Sequence, residues 1–191
     1  LEHSSFLAAS ERALRAIAGE VHGPAAVVGF VEPNPDPNGR PAFNAAAFVA
    51  DGKVVEIYRK HLLPTYDVFD ENRYFEPGKD PAKAIPWKGV RVALTICEDL
   101  WAGVPVGGRR IYREDPVADA AKAGADLILN ISASPFECGK IRHRLELVRE
   151  HARRHSVSIA IVNHVGGNDE LVFDGSSSLF DSKGSLRGLA A

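Results

Sequence analysis

Cys97 is the residue with the most to offer chemically. It follows the run Val90 to Ile96, in which Arg91 to Ile96 form a β-branched, apolar stretch short enough for a buried strand, and Glu98 and Asp99 end that pattern at once. The thiol therefore lies at a strand's exit. An α/β fold usually places its reacting groups there, because the backbone N–H groups of the following turn are unpaired and can face a developing oxyanion. Free cysteine is also among the most buried residue types, and from position alone a packing role is the more frequent one. A thiol at its free pKa of about 8.5 is mostly protonated at neutral pH, so a nucleophilic Cys97 needs a base or a nearby cation. Lys60, at the end of another strand, is one candidate cation, although a lysine taken at random is solvated and contributes little to folding. Among the histidines, His143, His151 and His155 suit the polar face of a helix and His22 sits in a cap, so a Cys–His pair would need His61 or His164.

The elements that must position these groups are legible in the order of the chain. A helix capped by Ser4 or Ser5 presents Phe6, Ala9, Ala13, Leu14, Ile17 and Ala18 at helical spacing and ends near Gly19 to Gly23. Ala25 to Val31 reads as a strand, Glu32 to Pro41 as a proline-dense loop, and Phe43 to Ala50 with Lys53 to Arg59 as two strands joined by Asp51-Gly52, a dipeptide suited to a two-residue hairpin turn. Lys60 to Lys83 lacks periodicity but carries Tyr66, Phe69, Tyr74 and Phe75, too many large apolar side chains for a loose connector, and is expected to be a site-forming loop. Trp87 to Gly89 turns the chain into the Cys97 strand. A Gly-rich insertion from Ala102 to Tyr112 precedes a short helix with Asp115 as N-cap and Pro116 at N1, ending at Gly124. Asp126 to Ile131 is a buried strand followed by Ser132, Ser134 and Pro135; Lys140 to His155 is an amphipathic helix and Ser158 to Asn163 a strand. The tail is β, with strands near Leu171 to Phe173 and Ser176 to Phe180 and a turn at Asp181 to Gly184. Strand, helix, strand with hairpins inserted predicts an α/β or α+β layered domain, with helices covering at least one sheet face.

Composition narrows the classes. At 191 residues, 45% hydrophobic and 25% charged, the chain suits one soluble domain, and 23 basic against 25 acidic residues leave no nucleic-acid footprint or polybasic membrane patch. Two cysteines are too few for a disulfide framework and neither lies in a metal-ligand spacing, which fits a reducing cytoplasm and no metal site. No apolar run approaches the ~20 residues of a membrane span. Leu1 in a chain without methionine is not expected to be the translated start.

Five blocks, taken together, carry a resemblance: Tyr58-Arg59-Lys60 with Leu63-Pro64, then Tyr66 to Gly78 (YDVFDENRYFEPG), Thr95 to Trp101 (TICEDLW), Asn130 to Phe136 (NISASPF) and Asn163 to Ser177 (NHVGGNDELVFDGSS). In this order and over nearly the whole chain they resemble the nitrilase superfamily, and within it the glutamine amidotransferase domain of the glutamine-dependent NAD synthetases. The resemblance implies an αββα sandwich and a Cys–Glu–Lys catalytic set with no histidine. It makes Cys97 the nucleophile, Lys60 the lysine that meets the oxyanion together with the N–H of Glu98, and Glu71 the second glutamate that orients lysine and substrate. Tyr66, Phe69, Glu98, Ser134 and Phe136 match positions that line the glutamine pocket, although Phe69 and Phe136 could equally be core and Ser134 a turn residue.

The implied chemistry is attack of Cys97 on the side-chain amide of glutamine, release of ammonia, and hydrolysis of the γ-glutamyl thioester by water. The amidase step needs no cofactor. ATP and Mg belong to a separate synthetase domain, in cis or trans, that amidates nicotinic acid adenine dinucleotide; no phosphate-binding pattern flanks Gly107-Gly108 or Gly166-Gly167 here. Family members assemble into homo-oligomers. The general-base glutamate of the family precedes the helix corresponding to Ser5 to Glu20, and residues 1–191 contain no counterpart, so the domain is expected to be incomplete at its N-terminus, with completeness at its C-terminus left open, and almost inactive as a glutaminase. Three functions remain open: the glutaminase part of an NAD synthetase, a free-standing amidase for another small amide, and a non-catalytic domain that kept the fold.

Overall fold

The computed structural model describes residues 3–105 and 107–190 of the chain. They form two compact units, one running to Asp80 and one beginning at Pro81.

The first unit is a helix on a three-stranded antiparallel sheet: α1 (Ser4–Glu20), β1 (Ala26–Pro33), β2 (Ala42–Ala50) and β3 (Lys53–Arg59), in the order β1-β2-β3. β2 is central and buried along almost its whole length, which its run of alanines permits because small side chains leave room on both faces. Ala47 and Val49 point to one face, where Leu14 and Ala18 of α1 pack on them. The buried stripe of α1 is Leu7, Leu14 and Ala18, whereas Phe6 and Ile17 stand 49% and 45% exposed. The expected apolar face was displaced: of its residues only Leu14 and Ala18 are buried, Phe6, Ala9, Ala13 and Ile17 are exposed, and Leu7, which it did not include, is buried. Its start also differs, since His3 is the N-cap and no side chain caps the helix. The Asp51-Gly52 turn forms as expected, with both residues at positive φ (49° and 79°), the backbone that a two-residue hairpin with right-handed strand twist requires.

After β3 the chain enters the aromatic loop, which is tied down rather than loose. Lys60 N–H donates to Asn44 O, Glu76 N–H to Ala42 O and Gly78 N–H to Lys60 O, and a single 3₁₀ turn occupies Glu71–Arg73. Gly78 lies so close to the Arg59 carbonyl that any Cβ would collide with it, so the loop can return along β3 only because this residue is glycine.

The second unit is a six-stranded mixed sheet with helices on one face. Its strands are β4 (Ile85–Trp87), β5 (Val90–Ile96), β6 (Leu127–Ser132), β7 (Ser158–Asn163), β10 (Ser178–Phe180) and β11 (Leu186–Leu189), ordered β11-β10-β7-β6-β5-β4. β5, β6 and β7 are parallel, and α2 (Pro116–Lys122) and α3 (Lys140–His155) follow β5 and β6 respectively. Ile128, Ile159 and Ile161 meet Val117 and Ala120 of α2 and Val148 and Ala152 of α3 in one buried cluster. Asp115 caps α2 through its Oδ1, which accepts from Ala118 N–H at 3.0 Å, and Pro116 sits at N1. β8 (Val165–Asn168) and β9 (Leu171–Asp174) form a separate ribbon. β4, β8 and β11 were not anticipated, being short and weakly patterned. The strand expected from Ser176 begins only at Ser178, because Gly175 and Ser176 both take left-handed φ. Helices layered on sheets make the chain mixed α/β. No helix among the described residues is long and apolar enough to cross a membrane.

Candidate active site

In the first unit, the end of β3 brings Lys60 and Glu71 together. The lysine is 1% exposed, and its Nζ donates to both carboxylate oxygens of Glu71 at 2.7 and 2.8 Å. Asn44 Nδ2 donates to Glu71 Oε2 at 3.3 Å. Lys60 is thus not the solvated lysine that its residue type favours: the ladder bond from its own N–H to Asn44 turns the side chain inward, and such burial is tolerated because a carboxylate accompanies the charge. Glu71 is delivered by the 3₁₀ turn, whose first N–H donates to Pro64 O. The preceding Arg59 is clasped in the same way, with Nε and Nη2 on the two oxygens of Glu32 at 2.6 and 2.8 Å, and those bonds hold its pKa above the ordinary value. Two neighbouring cations therefore have separate counter-ions. Tyr66 and Phe69, six and nine residues after Lys60 in the chain, meet edge to face at 6.0 Å, both half-buried.

In the second unit, Cys97 follows β5 directly and opens the 3₁₀ turn Cys97–Trp101, with φ at +42°. A non-glycine residue at such φ is strained by roughly 1–2 kcal/mol and persists only where its surroundings hold it. Ile96 N–H donates to Asp99 Oδ2 at 2.8 Å, inside the protein, so the turn is closed by a buried carboxylate that folds back on the strand's last N–H. The result is a sharp strand-to-helix elbow with a half-buried thiol at its tip, while Cys138 is exposed. Glu98 is buried and accepts from the Tyr112 hydroxyl at 2.9 Å.

Beside β5, Asn130 Nδ2 donates to Thr95 Oγ1 at 3.0 Å, a buried bond across the β5–β6 pair, and half-buried Ser132 extends it through Oγ to Asn130 Oδ1 at 2.6 Å. The segment after β6 is fixed by Asn163: its Oδ1 accepts from Ser134 N–H at 2.9 Å and its Nδ2 donates to Gly175 O at 2.9 Å and Asp174 Oδ1 at 3.3 Å. Arg144, 2% exposed, donates from Nη2 to the same two oxygens. Ser134 is buried in this arrangement, whereas Phe136 is 59% exposed with its N–H on Val172 O, so the core alternative for Phe136 fails.

His61 stacks on Tyr58 in the first unit and His164 meets Phe173 edge to face in the second. His143 is exposed, as expected for the polar face of α3, but His151 is 7% exposed and its Nε2 lies 2.8 Å from Leu100 O. The polar-face expectation fails for His151 because the buried stripe of α3, Arg144, Val148, His151 and Ala152, includes two polar residues that periodicity counts as solvent-facing. Asp99, Tyr112, Arg144, His151 and Asn163 were not singled out as site residues in the sequence; of these, only Asp99, the acid two residues after the cysteine, and Asn163, the polar end of an apolar strand, left a readable signal. No group of three or more potential metal ligands occurs among the described residues.

Comparison with known proteins places this geometry. The carbon-nitrogen hydrolase family model matches residues 4–188. A glutamine-dependent NAD(+) synthetase of Xylella fastidiosa is 42% identical over 187 residues, 97% of this chain and 32% of its own length. The structure of glutamine-dependent NAD+ synthetase from Acinetobacter baumannii in complex with ADP superposes with a TM-score of 0.83 at 33% identity, over 96% of this chain and 32% of that one. A mutant of the amidase from Nesterenkonia sp. AN1, with the acetamide moiety of fluoroacetamide covalently added at its active-site cysteine, gives a TM-score of 0.74 at 28% identity over 97% of this chain and 63% of that one. The chain spans between about a quarter and a third of the length of the NAD synthetases it matches. A strand-end cysteine elbow, a buried lysine paired with glutamate and a matching fold over nearly the whole chain converge: this protein belongs to the carbon-nitrogen hydrolase family.

Proposed function

We propose that the chain is the glutaminase part of a glutamine-dependent NAD synthetase, a thiol amidohydrolase acting on the side-chain amide of glutamine. The observation that carries this reading is the half-buried thiol of Cys97 held at a left-handed elbow, in a chain 42% identical to such a synthetase. Cys97 Sγ attacks the amide carbon, its proton passes to a base and from there to the departing ammonia, and water hydrolyses the resulting γ-glutamyl thioester to glutamate. Lys60 supports the oxyanion of the tetrahedral intermediate, and Glu71 holds the Lys60 ammonium in place through its two short hydrogen bonds. Glu98 and Ser134, buried on their hydrogen bonds, and Tyr66, Phe69 and Phe136 supply the glutamine pocket. No acid of residues 1–191 matches the family's base glutamate. The amidase step takes no cofactor; the ammonia is used by an ATP- and Mg-dependent synthetase domain, in cis or trans, in a cytoplasmic homo-oligomer.

A diazoketone analogue of glutamine tests the reading. Peptide mapping should find the adduct on Cys97 with Cys138 largely unmodified; preferential reaction at Cys138 would remove Cys97 from the role of nucleophile. The likeness to the Nesterenkonia amidase favours one second reading, hydrolysis of another small amide. Labelling of Cys97 by fluoroacetamide but not by the glutamine analogue would decide for it.

A further inference from the structure

The turn that carries Cys97 has two ends, and only the first is held by its own residues. At the front, Asp99 accepts the Ile96 N–H. At the back, the carbonyl of Leu100 accepts from His151 Nε2 at 2.8 Å, across 51 positions of sequence. Both partners are buried, His151 at 7% and Leu100 at 1% exposure. Because the acceptor is a carbonyl, Nε2 must carry the hydrogen, which fixes the ring's donor side.

This bond lies at a place where it can control the elbow. Cys97 at +42° sits in a conformation that costs a non-glycine residue free energy, and a five-residue 3₁₀ turn has too few internal hydrogen bonds to hold that strain unaided. Leu100 is part of the cluster that joins the turn to Val117 of α2 and Val148 and Ala152 of α3, so its side chain fixes the turn's position but not the orientation of its last peptide. A directional bond from α3 supplies that orientation. Removing it would also leave a buried carbonyl without its donor, a cost the turn can lower only by rotating the Leu100 peptide and relaxing toward Cys97.

Resting on the assignment of Cys97 as nucleophile, we propose that His151 is a positioning residue for the reaction. It does not touch substrate or exchange protons with it; it holds the rear of the Cys97 turn so that the thiol keeps its strained, reactive pose. The histidine thus acts on the thiol through Leu100 and not as a partner of a Cys–His pair.

The test compares alkylation of the two cysteines by chloroacetamide in the folded chain, using exposed Cys138 as the internal reference. His151→Phe keeps ring volume without a donor, His151→Gln keeps a donor of similar reach, and His151→Asn keeps a donor too short to span the gap. The expected result is a fall of about tenfold in the Cys97 rate for Phe and Asn, an unchanged Cys138 rate, and recovery to within about twofold for Gln. A residue that only stabilises the fold would lower the melting temperature without changing the ratio of the two rates below the melting transition. If the Phe variant does not fold, both cysteines label at the denatured rate, and the decision passes to Gln against Asn: equal Cys97 rates there overturn the proposal. Undiminished Cys97 alkylation in His151→Phe overturns it too, with the nucleophile assignment intact. A parent protein in which Cys97 reacts no faster than Cys138 overturns both.

Discussion

The ends of β3 and β5 carry the two halves of the candidate chemistry, and they are held by opposite means. At the end of β3 the backbone is ordinary and the constraint is charge: a buried ammonium lies on both oxygens of one carboxylate. At the end of β5 the constraint described is backbone: a left-handed cysteine between a hydrogen bond to the Asp99 carboxylate at the front of its turn and another from His151 at the rear. Under the proposed function, the difference follows from what each group has to do. A lysine that meets a negative oxyanion must remain charged inside the protein, so it needs a counter-ion that fixes its position. A thiol that attacks must be presented outward from a buried strand, and a sharp turn closed on the Asp99 carboxylate does this.

The largest effect should come from breaking the charge-held end. Lys60→Ala leaves the half-buried carboxylate of Glu71 with Asn44 but without its ammonium partner, with an expected cost on the order of 2 kcal/mol in stability, and under the proposed function removes an oxyanion partner, with a loss of about 10²–10³ in kcat for glutamine. The double variant Lys60→Met with Glu71→Leu separates the two effects, since replacing both partners by apolar groups of similar size should restore most of the melting temperature and none of the rate. Denaturant midpoints of this chain and ammonia release by a chain that also carries the family's base glutamate together make the measurement. A double variant that regains activity would show that Lys60 serves only the fold, and the contrast between the two strand ends would disappear.

The backbone-held end has its own support, and a smaller effect is expected from it. Asn163→Ala removes the acceptor of Ser134 N–H and the donor to Asp174 and Gly175, three bonds at 2.9 to 3.3 Å, and leaves a buried N–H unsatisfied, at about 2–3 kcal/mol. Arg144 keeps its own bonds to Asp174 and Gly175, so the β9 end should stay in place while the Ser134 segment loosens. Faster amide hydrogen exchange at Ser134, with little change at Gly175, is the expected pattern; uniform loosening of both would mean that Asn163 and Arg144 form one inseparable unit.

What the sequence shows differs between these two regions for the same physical reason. Strands β2 and β5 were legible as short continuous apolar runs, β7 and helix α3 because each buries a periodic face, and the Asp51-Gly52 turn because its φ values demand those residue types. Cys97 was legible as a strand exit. The burial of Lys60 was not, because nothing local distinguishes a lysine turned inward by its ladder bond from one in solvent; only its tertiary partner does. Arg144 and His151 failed for the related reason that periodicity sorts residues by type, and a polar residue in the core stripe is misassigned whenever its hydrogen-bond partner lies far along the chain. The roles of Glu71 and Ser134 came from resemblance, and geometry adds their partners.

The smallest expected effect concerns a third charge arrangement, which tests whether burial is what gives the Lys60–Glu71 pair its weight. Arg91 and Asp126 join the starts of β5 and β6 through a side-chain pair at 2.9 and 3.1 Å and a bond from Arg91 N–H, all in solvent. Those hydrogen bonds lower the Asp126 pKa from 3.8 to about 2. A carboxyl depressed in the folded state binds a proton less readily than in the unfolded chain, so its stabilisation is fully present above about pH 4 and disappears as pH falls toward 2. Asp126→Asn should therefore melt below the parent at pH 6 by no more than about 2 °C, with the gap closing toward pH 3 and shrinking further in high salt. The same titration in salt should leave the Lys60→Ala difference almost unchanged, because a buried pair is poorly screened. If salt erased both differences alike, the pair at the end of β3 would be behaving as a surface ion pair, and charge held by burial could not be what positions Lys60.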